Sequence, residues 1–131
     1  MEIVKVLVAA AGSWLFGAVW YMALAKPWIA AASVPTGADG RPLNAKSPAP
    51  YLLSALSMVL VAGMMRHVFS MAAMDTIPEG VMGGFGIGAL FITPWIMMGN
   101  AYAMRPFRLT LIDGGYATIG CTIIGVILTL F

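Results

Sequence analysis

The stretch that decides the fold runs from Gly80 to Ala101, GVMGGFGIGALFITPWIMMGNA, and it contains no charged side chain. A helix rises about 1.5 Å per residue and the hydrocarbon core of a bilayer is roughly 30 Å thick, so about 20 apolar residues are enough to cross it. This stretch has that length, and three others match it: Val6 to Leu24, Tyr51 to Met74, and Leu109 to Phe131. The expected fold is all-α, an integral membrane bundle of four transmembrane helices. It forms a single membrane domain over residues 1–131, with helices near 6–24, 51–74, 80–101 and 109–131.

Composition points the same way. Hydrophobic residues make up 61% of the chain and charged ones 9%, with a mean hydropathy of +0.93, and no water-soluble surface can be assembled from that balance. Four crossings leave no room for a separate soluble domain. A net charge of +2 and a pI near 8.9 are too mild to point to nucleic acid. Because the basic residues lie between apolar segments rather than in a run, their plainer use is contact with anionic lipid headgroups. Cys121, the single cysteine, excludes an intrachain disulfide and any multi-cysteine metal site.

The one sizeable connection, about residues 25–50, holds Pro27, Pro35, Pro42, Pro48 and Pro50 with a turn signal at Asp39-Gly40, so it is expected to be mostly irregular. Pro27 can open a short interfacial helix through Trp28 and Ile29, since proline is tolerated in a first helical turn and tryptophan favours the headgroup layer. Lys5 ahead of an apolar run and Ala23-Leu24-Ala25 imitate a secretory signal, but the run is long for one and reads as a retained helix. Lys26, Arg41, Lys46, Arg105 and Arg108 fall in the first and third connections, against Lys5 and Arg66 at the opposite ends. That bias places the first set in the cytoplasm and both termini outside. No internal repeat is visible.

Several short motifs recur in a recognisable order: Gly17-Ala18-Val19-Trp20-Tyr21 with Trp28, Glu79-Gly80, Asn100, Arg105-Pro106, and Leu111-Ile112-Asp113-Gly114-Gly115-Tyr116. Over nearly the whole chain this order resembles the domain-of-unknown-function 1761 family of small bacterial membrane proteins. The resemblance implies the same four-helix membrane fold and brings no activity with it. The first connection departs from the family pattern, because it lacks the aromatic-plus-glycine segment that often follows the Trp-Tyr pair.

Marked residues gather at two depths. Trp20, Tyr21, Asn100, Arg105, Arg108, Asp113 and Tyr116 fall at the cytoplasmic end. An ionisable residue inside a membrane helix is costly and often has a task, so Asp113 is a candidate proton, cation or ligand site. The structural alternative, which we favour from sequence, is a carboxylate stabilised by a helix N-terminus and by Arg105 or Arg108. Arg66, His67, Asp75 and Glu79 fall at the outer end and read as a membrane-surface ion-pair group, with Asp75 and Glu79 as partners of Arg66.

Met64, His67, Met71 and Met74 follow a helical spacing, with Met82 beside them, but one straight helix cannot surround an ion, and a methionine stripe is more often adaptable packing. No metal and no cofactor is therefore assigned, with a pigment or haem on His67 left open. Gly80, Gly84 and Gly88 form a ladder that lets a helix backbone approach closely in lipid, with an intrachain partner favoured over a second copy. Ala9, Ser13 and Gly17, and Ala117, Cys121 and Gly125, repeat this spacing. Pro94 should kink its helix by leaving the Leu90 carbonyl without a partner.

No nucleotide loop, nucleophile-histidine pair or carboxylate-rich motif is visible, so no catalytic residue is assigned and an enzyme is the least supported class. The leading expectation is an oligomer or an accessory subunit of a larger membrane complex, acting through contacts with other transmembrane helices. The alternative is a small oligomeric transporter or channel for a proton, cation or small solute, using Asp113, Asn100 and Tyr116.

Overall fold

The computed structural model describes residues 2–131. Helix α1 spans Glu2–Ala23, α2 Ala25–Ala32, α3 Ala49–Met71, α4 Ile77–Tyr102 and α5 Phe107–Leu130. All but α2 are long and apolar enough to cross a membrane. The 22 residues of α1 extend about 33 Å, enough for a hydrocarbon core of roughly 30 Å.

The ends of these helices have local causes. Pro27 has no N–H for the Ala23 carbonyl, and the chain breaks between α1 and α2 at Leu24. The short helix expected at Pro27 is present and opens two residues earlier, so Ala25–Ala32 are helical, one residue past α1, and α2 ends where Ser33 turns left-handed. α3 stops at Met71, three residues earlier than the sequence indicated, because Ala73 adopts positive φ and Met74 donates its N–H to the Phe69 carbonyl. The same device closes α4: Met104 has positive φ, and the Arg105 N–H reaches the Asn100 carbonyl.

α4 begins at Ile77 rather than Gly80 because Thr76 and Glu79 form a capping box. The Glu79 carboxylate accepts the N–H groups of Asp75 and Thr76 at 2.9 and 3.0 Å. Ahead of Pro94 the helix widens into a π-helical segment, Ile87–Ile92, which absorbs the missing donor. The Thr93 hydroxyl donates to the Gly88 carbonyl at 2.7 Å and lies 3.2 Å from that of Gly114, so the irregular turn is tied to α5.

α5 packs on α1 and on α4, α1 packs on α3, α3 makes smaller contacts with α5 and α4, and α5 is the most buried of the four. α4 and α5 make the most extensive contact. A Cβ on Gly80, Gly84 or Gly88 would strike the backbone of Gly125, Cys121 and Thr122, or Ala117 and Thr118, respectively. The two small-residue ladders thus face each other inside one chain, running antiparallel. Between α1 and α5, Ser13 meets Gly120 and Gly12 meets Ile123 and Ile127. Between α1 and α3, the buried Val6, Ala9, Ala10, Ala62, Met65 and Phe69 form the core, joined by Cys121, Ile124 and Leu128 of α5.

Candidate functional site

Asp113 lies about 9 Å into α5, reckoned from Phe107, and its side chain meets α1. The Tyr21 hydroxyl donates to its Oδ1 at 2.7 Å. One residue earlier on each helix, the Trp20 indole N–H donates to the Ile112 carbonyl at 2.9 Å. Tyr21 is held edge-on by Trp28 of α2, with centroids 5.6 Å apart, and by Tyr116 at 5.5 Å. Tyr116 also stacks on Phe16 at 6.2 Å, and its hydroxyl donates to the Ser13 carbonyl at 3.2 Å, with Met58 Sδ 3.3 Å away.

Glycines make this arrangement possible. A Cβ on Gly17 would lie 2.7 Å from Tyr116 Cζ, and one on Gly115 would lie 2.8 Å from Trp20 Cζ2. Each helix offers a glycine to the other's aromatic ring. The Gly17 to Tyr21 motif and the Asp113 to Tyr116 motif are therefore two halves of one contact, and its product is the Tyr21–Asp113 hydrogen bond.

Arg105 and Arg108 take no part in it. Both are exposed, and among the described residues the ion pair within salt-bridge distance is Arg66 with Glu2. Arg108 precedes Asp113 by five residues, about 140° around the helix, and Arg105 lies before the helix starts. The expected arginine stabilisation of Asp113 is thus replaced by a tyrosine donor. Asn100 belongs to a different contact: its Nδ2 donates to Thr110 Oγ1 at 3.1 Å, between α4 and α5. The sequence grouping missed Phe16, Ser13, Met58 and Gly115. Among these, the glycine beside Tyr116 was part of a quoted motif and could have been read as a ring seat.

At the other end the expected ion-pair group does not form. Arg66 Nη2 donates to Glu2 Oε1 at 2.6 Å and its Nε to the other carboxylate oxygen, because the start of α1 lies beside the end of α3. Glu79 is occupied as a helix cap, while His67 and Asp75 are exposed. Nor do the four residues of the methionine-histidine stripe share a face. Met64, His67 and Met71 point outward, whereas Met74, beyond the left-handed Ala73, turns in to cover Gly83. Met82 is also exposed.

A family model described as "Protein of unknown function (DUF1761)" matches residues 4–129. The chain belongs to the DUF1761 family. No curated protein and no solved structure matches it. The matched region takes in every helix of this DUF1761 protein and both halves of the Tyr21–Asp113 contact.

The same contact has a specific chemical capacity. Asp113 is half-buried, accepts one hydrogen bond and has no basic partner among the described residues, so its remaining lone pairs can receive a proton or a cation.

Proposed function

We propose that this DUF1761 protein is a small membrane transporter or channel that binds a proton or cation at Asp113 and works as an oligomer in the bacterial inner membrane. The observation that carries this reading is the Asp113 carboxylate inside a membrane-spanning helix, held by the Tyr21 hydroxyl at 2.7 Å rather than by an arginine. A purely anchoring carboxylate would be expected to take a basic partner, and two were available at the same end of the bundle. Four closely packed helices enclose little space, so passage of an ion requires more than one copy. The reading is non-enzymatic, and the lysine and arginine bias orients both termini outward.

A second reading, an accessory subunit acting through helix contacts, is favoured by one feature. α4 directs Leu90, Phe91, Trp95 and Met98 away from its own bundle, a face that another transmembrane helix can cover as well as lipid. The glycine ladder no longer supports this reading, because α5 uses it.

The test is flux in liposomes, of protons under an imposed pH gradient and of Na+ or K+ under an imposed cation gradient, comparing the wild type with Asp113→Asn, and Tm in detergent for both. The proposal expects flux from the wild type, its loss in the variant, and a similar Tm. Flux that persists in Asp113→Asn, or a wild type without flux, refutes it.

A further inference from the structure

The first connection is not loose chain. Beyond α2 it folds on itself: the Leu43 N–H reaches the Pro35 carbonyl and the Gly37 N–H that of Arg41, both at 2.9 Å. Thr36 and Pro42 pair across the turn, Gly40 takes the positive φ the turn requires, and the Ala45 and Ser47 N–H groups bond the carbonyls of Pro42 and Asn44. These bonds, with the stiff φ of Pro35 and Pro42, fix the loop before any ligand arrives.

The loop encloses an open depression of about 190 Å³, lined by Gly37, Asp39, Arg41, Leu43, Ala45 and Lys46 together with Pro42. At about 30 Å³ per water that is room for roughly six water molecules, enough for a phosphate group with part of its hydration shell. Two basic residues and one acidic residue line it, a net charge of +1 that matches the single negative charge of a phosphodiester. The acidic one is partly committed, since Asp39 Oδ1 accepts the Arg41 N–H at 3.0 Å.

The loop follows α2, which begins one residue after α1 ends, so it lies beyond a segment long enough to cross the hydrocarbon core, where headgroups are expected. Leu43, on the rim of the depression, leaves 72% of its surface exposed. An exposed leucine between Arg41 and Lys46 is costly in water and favourable where acyl chains meet headgroups.

We propose that this loop is a binding site for the phosphodiester of an anionic phospholipid, with the Arg41 guanidinium and the Lys46 ammonium on the phosphate and Leu43 against the acyl chains. Arg41 supplies a planar fork suited to two phosphate oxygens and Lys46 a point charge. The site is separate from Asp113, so its test does not depend on transport.

The full chain is purified in a neutral detergent and its Tm measured with added phosphatidylglycerol, phosphatidylcholine or inorganic phosphate. The variants are Arg41→Gln/Lys46→Gln, in the loop, and Arg105→Gln/Arg108→Gln, which removes the same charge at the same end of the bundle. All four side chains are exposed and make no ion pair among the described residues, so both variants should fold. The expected result is a higher Tm with phosphatidylglycerol for the wild type and for Arg105→Gln/Arg108→Gln, and at least a tenfold weaker apparent affinity in the loop variant. Equal weakening in both variants would reduce the effect to diffuse charge and overturn the site. Stabilisation by inorganic phosphate alone to the same extent would assign the loop to a free anion, and no stabilisation of the wild type would leave it without a ligand. Either result overturns the proposal.

Discussion

Adding one methyl group at Gly84 tests the packing that holds α4 to the bundle. In Gly84→Ala the new Cβ would lie 2.8 Å from Thr122 Cα and 2.9 Å from the Cys121 carbonyl carbon, closer still to the Cys121 oxygen. Carbon atoms in contact prefer about 3.5–4.0 Å, so α4 must withdraw by roughly 1 Å. The obstacle is backbone, which no rotamer change can relieve. A gap of that size forfeits up to about half of the dispersion energy along the contact, in keeping with the usual cost of overpacking, about 1–3 kcal/mol. The exchange also gains about 1 kcal/mol of helix propensity. Gly86→Ala gains the same propensity term but meets nothing, since a Cβ there has no atom within 4 Å. The two variants should therefore move Tm in opposite directions or at least differ by about 1–3 kcal/mol, with Gly86→Ala the more stable. Thermal unfolding of both in one detergent reads the difference. Equal Tm values would refute the ladder as a close contact between α4 and α5.

Other expectations follow from single contacts. Tyr21→Phe deprives the Asp113 carboxylate of its donor and should cost about 1.5–3 kcal/mol, read as a lower Tm, while Arg108→Gln should leave Tm unchanged; the reverse order would restore the arginine as partner. Thr93→Val removes the hydroxyl that bonds the Gly88 carbonyl ahead of Pro94 and should destabilise by about 1 kcal/mol, so an unaltered Tm would show that the π-helical turn needs no such support. Reporters fused after Phe131 should read as outside and those placed in the first connection as cytoplasmic. The opposite pattern would show that the charge bias does not set the topology.

The spans were legible because hydropathy alone fixes them, and the spacing of Gly80, Gly84 and Gly88 announced a close contact before any partner was known. Which helix they meet depends on how the four helices pack, and no local pattern encodes that arrangement. The same holds for polar partners. Tyr21 and Asp113 are 92 positions apart, and Arg66 lies 64 from Glu2, so nearest-in-sequence reasoning chose Arg105 or Arg108 for one and Asp75 or Glu79 for the other. The Thr76 to Glu79 spacing carries a legible capping signal, and that cap takes up the carboxylate that proximity in sequence offers to Arg66. The end of α3 carried none: Ala73 takes the left-handed conformation usually left to glycine or asparagine. Fold in the first connection was hidden by its prolines, which mark an absence of regular helix without showing that the chain between them is bonded to itself.

The glycines of this chain divide into two kinds of work, and the division bears on function. On α4, Gly80, Gly84 and Gly88 admit backbone against backbone, a contact that yields tight helix packing and no polar group. On the α1 to α5 face, Gly17 and Gly115 admit the rings of Tyr116 and Trp20 instead; the Tyr116 hydroxyl donates to the Ser13 carbonyl of α1 and the Trp20 indole N–H to the Ile112 carbonyl of α5. A bundle that needed only adhesion would gain as much from a second backbone ladder, with fewer polar groups to satisfy inside the membrane. The two glycine and aromatic seats instead bracket the Tyr21 hydroxyl, which donates to the Asp113 carboxylate at 2.7 Å, and this arrangement supports the reading of Asp113 as a site.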